Sequence, residues 1–151
     1  MTNASAKTIW EEYKQLHPDA PDNYVAWAFG DSKEMADELL ELVLNGTKTA
    51  TASNYSLYGE EDELPYPGLH NILLDGNGEA KAIVVTTDVD IVPFDEVTEE
   101  HAYLEGEGDR SLEFWRKTHE DFFTREMEEA NLTFHTKIPV VCERFKLVYK
   151  K

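Results

Sequence analysis

Apolar positions recur along this chain with two different periods, and the switches between them mark the elements. From Ser5 to Leu16 the period is helical, with Ile9, Tyr13 and Leu16 on one face. His17-Pro18 ends that helix, because a residue before proline resists helical backbone. Pro21 to Gly30 reads as a connector carrying Tyr24, Trp27 and Phe29, aromatics suited to core or lid packing or to stacking on a ligand. A second helix runs from about Ser32 to Asn45, with Met35, Leu39, Leu42 and Val43 at i, i+4, i+7 and i+8. Asp31 and Glu34 are spaced as its capping box, and Gly46 stands where a helix needs a left-handed C-terminal residue. Thr49, Thr51 and Ser53 then alternate with small residues, as an extended strand does.

Tyr55 to Gly68 is a long acidic loop holding Glu60, Glu61, Asp62 and Glu63, stiffened at its exit by Pro65 and Pro67. Beyond it the period drops to two. Asn71 to Leu74 is a short strand, and Asp75-Gly76-Asn77-Gly78 predicts a hairpin. The return strand is long, with Ile83, Val85, Thr87, Val89 and Ile91 on one face and Ala82, Val84 and Thr86 on the other. Val140 to Tyr149 is a closing strand rich in branched and aromatic residues. A helical insert at about 97–130 separates these last two strands. Val97 to Leu104 forms its first, short helix, and Glu105-Gly106-Glu107-Gly108-Asp109 breaks the pattern. Asp109 or Ser111 then caps a longer helix to about Ala130, with Leu112, Trp115, His119, Phe122 and Phe123 as its stripe. The pattern predicts an α+β chain: a small, mostly antiparallel β-barrel with flanking helices, in one domain over residues 1–151.

Composition narrows the partners. Hydrophobic residues make up 41% of the chain, enough for a real core. The formal net charge is −17, which repels phosphate backbones and makes DNA or a long RNA a poor partner, while a neutral nucleoside meets no such penalty. Cys142 is the single cysteine, so no intrachain disulfide forms; it lies in an apolar run and reads as a small core residue. No apolar stretch has signal-peptide length and none could span a bilayer, so a cytoplasmic location and no membrane partner are expected.

Two places carry candidate chemistry. Lys48 emerges just past a helix end, and Thr51 follows three residues later; the pair can converge on one pocket, or be an ordinary helix stop before a Thr-rich strand. A lysine in a partly buried pocket serves as base, nucleophile or oxyanion partner. The second place is Glu105, Glu107 and Asp109, three carboxylates on alternate residues. They suit a hard cation, or the N-terminus of the helix that follows, which is the favoured reading for Glu107 and Asp109. Glu105 differs, because it ends a helix where the dipole disfavours a carboxylate; His101, one turn earlier, pairs with it for acid–base work or as a surface pair.

Gly46-x-Lys48-x-x-Thr51 resembles the G-x-K-x-x-T signature of the ASCH family, the ASC-1 homology domains. His101-Ala102-x-x-Glu105 resembles the short helix after the long central strand in small bacterial members. Glu105-Gly106-Glu107-Gly108-Asp109, with Ser111-Leu112 and Trp115-Arg116, is similar to the longer bacterial branch; the resemblance runs from about Tyr24 to Tyr149. It implies a PUA-like barrel. The family includes a small amidohydrolase that deacetylates N4-acetylcytidine, whose lysine, threonine and glutamate roles fall on Lys48, Thr51 and Glu105. It also includes a metal-dependent ribonuclease and domains that bind RNA through the barrel cleft. The small amidohydrolase has basic residues where this chain has Thr47 and Ser53.

The resulting expectation is an amidohydrolase acting on a small acylated, nucleoside-like amine. Its alternatives are an RNA- or nucleotide-binding module without catalysis, or a metal-dependent ribonuclease. Thr51 attacks or positions water, neutral Lys48 accepts the proton and Glu105 serves the leaving amine. Gly46, Thr49, Ser53 and Trp115 are the expected substrate-binding residues, and the leading reading calls for no cofactor and no metal.

Overall fold

Five strands make one curled sheet, a half-barrel, in the order β1-β3-β4-β5-β2. In this computed structural model, residues 3–30, 32–59 and 64–151 are described. The strands are β1 (Val25–Ala28), β2 (Ala50–Asn54), β3 (His70–Leu74), β4 (Ala80–Pro93) and β5 (Pro139–Lys150). The helices are α1 (Ala4–Leu16), α2 (Lys33–Leu44), α3 (Glu99–Glu105) and α4 (Leu112–Glu129). Among the described residues the β1–β3 pairing alone is parallel; β3–β4, β4–β5 and β5–β2 are antiparallel. The predicted hairpin joins β3 to β4, with the Gly78 N–H donating to the Asp75 carbonyl.

The connector expected over Pro21 to Gly30 contains β1, which pairs Val25 with Asn71 and Ala28 with Leu74. Its four residues are mostly exposed and bury no alternating face, so the period-2 signal is missing. In α1 the buried face is Ala6, Ile9, Trp10 and Tyr13, spaced i, i+3, i+4 and i+7, while Leu16 at the helix end is 65% exposed. In α2 the buried stripe is Ala36, Leu40 and Val43, with Leu39 at its edge. Asp31 lies outside the described residues; Ser32 caps α2 through its hydroxyl, which accepts from the Met35 N–H. The acidic residues Glu60 to Glu63 also lie outside them.

β4 does not hold its alternation. Register shifts between Ile83 and Val84 and between Thr86 and Asp88 change which face the following residues occupy. Ile91 ends up 46% exposed. The first half of β4 is covered on both sides: Ile83 packs with Ile9 and Trp10 of α1, and Ala82 and Val84 pack with Leu40 and Val43 of α2. A third cluster joins Val97, Ala102, Trp115, Phe123 and Met127 to Val140 and Cys142 of β5. Burial there pushes the Cys142 thiol up to about 12, so it is an inert core residue. Among the described residues no helix is long and apolar enough to cross a membrane.

The segment after α2 is stitched at both ends. The Thr47 and Lys48 N–H groups donate to the Leu42 carbonyl, and the Thr49 N–H donates to the Leu104 carbonyl at the end of α3. Gly46 has the expected left-handed backbone, φ 85°. Gly106, the C-cap of α3, has φ 73° and lies so close to this segment that an added Cβ would sit 2.6 Å from the Thr47 carbonyl oxygen. Gly106→Ala should therefore cost more than the about 1 kcal/mol of a strained left-handed residue alone. Denaturant titration measures that loss, and a variant as stable as wild type would show that the two segments separate freely.

Candidate active site

The tie between residues 47–49 and the end of α3 carries Lys48 inward, where the side chain is 1% exposed. Its Nζ lies 2.9 Å from Glu107 Oε2 and 3.5 Å from Glu105 Oε1, donates to the Glu105 carbonyl at 3.3 Å, and sits 5.3 Å from the centre of the Phe29 ring. Two carboxylates and a carbonyl at these distances form a cage for an ammonium ion.

Glu105 is the centre of the arrangement, also 1% exposed. Its Oε2 accepts from His101 Nε2 at 2.8 Å and from the Trp115 indole N–H at 2.5 Å. Its Oε1 faces Lys48 and His119 Nε2, each at 3.5 Å. His119 Nδ1 lies 2.8 Å from the Trp115 carbonyl, which only accepts, so Nδ1 carries a proton. Burial opposes ionisation of Glu105, but His119, Lys48 and the His101 hydrogen bond outweigh it and hold the carboxyl well below its ordinary value. Burial likewise opposes a charged His119, but the Glu105 carboxylate, with Glu107 beyond it, raises the imidazole pKa. Lys48, His119, Glu105 and Glu107 thus make a compact quartet of mutually stabilising ionisable groups.

The quartet forms one wall of a cleft of about 530 Å³. Lys48, Thr51, Ser53, Glu105, Glu107 and His119 all line it, together with the aromatics Trp27, Phe29, Tyr58 and Phe122. The structure therefore brings Lys48, Thr51 and Glu105 to one place. Among the described residues, the Thr51 hydroxyl makes no hydrogen bond. Of the expected substrate-binding residues only Ser53 reaches the cleft, where it bonds the Tyr58 hydroxyl at 2.9 Å. Gly46 is at the exposed turn after α2, and the Thr49 hydroxyl faces the Leu104 carbonyl at 3.5 Å. Trp115 is a core residue that fixes Glu105 from behind.

Glu107 does not cap α4; it belongs to the Lys48 cage. Capping falls to Ser111, which accepts from the Phe114 N–H, while Asp109 accepts from the Ser111 N–H. Glu105, Glu107 and His119 each offer a ligand atom within 4.8 Å of one another, but Lys48 already engages both carboxylates. His119 was legible only as a polar member of an apolar stripe.

Glu143 is the residue that pattern reasoning missed. It lies on β5 directly opposite Thr51 on β2, lines the same cleft and is 7% exposed. Its signal was there: a carboxylate on the inward side of a strand, between Val141 and Phe145. Thr86 Oγ donates to Glu143 Oε2 at 2.6 Å, and burial still raises the carboxyl above its ordinary value. Behind Thr86 stands Asn71, which donates to Thr86 Oγ and accepts from the Trp27 indole N–H, both at 3.0 Å.

A family model described as the ASCH domain matches residues 25–149. No curated protein matches this chain. The fold is similar to the crystal structure of a protein from Enterococcus faecalis V583 assigned to the DUF984 family model, with TM-score 0.89 and 35% identity over 97% of this chain and 94% of that one. It is also similar to the ASCH domain from Lactobacillus crispatus JV V101, with TM-score 0.91 and 28% identity over 96% and 94%. Hypothetical protein PH0355 shares the fold alone, with TM-score 0.57 and 20% identity over 83% of this chain and 100% of that one.

Removing the Glu105 charge leaves the buried Lys48 ammonium and the His119 imidazole without their common partner. Glu105→Gln should cost about 3–5 kcal/mol at pH 7. The pH dependence has a definite sign. Glu105 has a depressed pKa, so its contribution is present above the ordinary 4.5 and is lost as pH falls through the lower folded value. His119 has a raised pKa, so its contribution is full below the ordinary 6.5 and is lost as pH rises through the folded value. Urea titrations across pH should show the wild-type advantage over Glu105→Gln shrinking in acid, and that over His119→Asn shrinking in base. Flat differences would place neither group in a charged network.

Proposed function

The chain belongs to the ASCH domain family, and we propose that its cleft hydrolyses a small acylated amine, an acylated nucleoside such as N4-acetylcytidine. The family has a PUA-like fold linked to RNA binding and to hydrolysis. One observation carries the hydrolytic reading: a buried ammonium and a hydroxyl without a partner among the described residues line one cleft large enough for a nucleoside. A fixed ammonium beside a hydroxyl on one wall suits a reaction that develops negative charge on an acyl oxygen, and that supports the hydrolytic reading.

In this reading Thr51 Oγ attacks the acyl carbon, and Lys48 faces the negative charge that develops on the carbonyl oxygen. Glu105, held by four donors, stays ionised and positions Lys48; it is not the group that moves protons. Trp27, Phe29, Tyr58 and Phe122 offer apolar faces to a planar base. Glu107, Glu126 and Glu143 line the cleft beside Lys48, His119 and Arg125, so its own charges largely offset, and the net charge of −17 on the chain is what favours a neutral nucleoside over a nucleotide or RNA in this reading.

The test is a screen of acylated nucleosides for carboxylate release. N4-acetylcytidine should turn over faster than its 5′-monophosphate, because the net charge of −17 on the chain opposes an added phosphate. Lys48→Ala, Thr51→Ala and the double variant should fall to similar residual rates, because groups that act as a unit do not add. No turnover, together with a thermal shift on ligand binding, would make the cleft a binding site only; metal-dependent cleavage of a labelled RNA would favour the trio Glu105, Glu107 and His119.

A further inference from the structure

Hydrolysis by Thr51 needs a group that takes the hydroxyl proton, and the quartet does not supply an evident one. Lys48 is enclosed by acceptors, and both oxygens of Glu105 are engaged by donors. Glu143 is placed differently. It is the direct cross-strand partner of Thr51, and such partners have Cβ atoms about 4.5–5.5 Å apart on one face of the sheet. Both side chains line the cleft.

The hydrogen bonds behind Glu143 have a fixed direction. An indole N–H only donates, so the contact from Trp27 identifies the Asn71 oxygen and leaves Nδ2 facing Thr86. Thr86 Oγ accepts from Asn71 and spends its own proton on Glu143 Oε2. Asn71 and Thr86 are themselves buried, so water does not relax this order. Oε1 is the oxygen left for the cleft. We propose that Glu143 is the proton acceptor and donor for Thr51, a catalytic residue, with Trp27, Asn71 and Thr86 as the positioning residues that aim it.

The proposal rests on the hydrolytic reading of the cleft, and its steps balance. Glu143 Oε1 takes the Thr51 hydroxyl proton as Oγ bonds to the acyl carbon and the carbonyl electrons move onto oxygen beside Lys48. The intermediate collapses, the C–N bond breaks, and the amine leaves with its electron pair and the proton from Glu143. Water then attacks the Thr51 ester and gives its proton to Glu143. Collapse breaks the bond from the acyl carbon to Thr51 Oγ, releases the carboxylic acid, and returns the proton held by Glu143 to Oγ. The raised carboxyl pKa makes Glu143 a stronger base than an exposed glutamate.

The probe is p-nitrophenyl acetate, an activated ester that reports on the hydroxyl without assuming the natural substrate. Wild type should release nitrophenol in a Thr51-dependent reaction. Glu143→Gln, the same shape without a charge, should lower the rate about 10²-fold or more. Glu143→Ala should be equally slow and be restored by added formate, a rescue that a purely structural role would not allow. Thr86→Val, which unties Oε2, should be slowed about tenfold and provides a second readout if a Glu143 variant fails to fold. Undiminished release from Glu143→Gln, or no Thr51-dependent release from wild type, overturns the proposal. Thr51- and Glu143-dependent ester cleavage without turnover of any acylated nucleoside keeps the pair and removes the substrate assignment. Nucleoside turnover that survives in Glu143→Gln does the reverse.

Discussion

The buried contact between Lys48 and Glu105 is the constraint on which the site depends. Each ion alone in the interior would cost several kcal/mol of lost hydration, so neither is tolerable without the other and the groups around them. That requirement reaches through the fold. Lys48 is delivered by the end of α2, Glu105 by the end of α3, His101 by the first turn of α3, and Trp115 and His119 by successive turns of α4. The carbonyls and amides that join residues 47–49 to Leu42 and Leu104 hold the two carriers together. The helical insert therefore exists at the site as structure: it supplies three of the four donors to one carboxylate.

How much of this was legible depends on range. Local signals worked where local chemistry decides: the left-handed Gly46, the Asp75–Gly78 hairpin and the pairing of His101 with Glu105 at one helical turn. The stripe on α4 was right about Trp115 and Phe123 because burial there follows the helical period. What failed was non-local. β1 is a strand only because β3 offers it a parallel partner more than forty residues away, and nothing in Val25–Ala28 alternates. The bulges in β4 arise from its fit to β5, so Ile91 faced the wrong way in a strict period-2 reading. Glu107 was read as a cap because its neighbour in space, Lys48, lies far away in the chain.

The candidate trio was legible through resemblance and order, and the second carboxylate was not. Glu143 sits in a strand that looks wholly structural, and only the register of β2 on β5 sets it against Thr51. A buried acid in such a strand is costly unless something answers it, and here Thr86 answers one oxygen alone.

The position of β5 has a consequence for the timing of synthesis. It is the last strand in the chain, yet it lies between β4 and β2 in the sheet. Until β5 is in place, β2 has no partner in the sheet, and the pairing that sets Thr51 against Glu143 does not exist. The two faces of the cleft that these residues line are therefore joined by the strand made after both the insert and β2, and the order of synthesis puts the assembly of this wall last among the described strands.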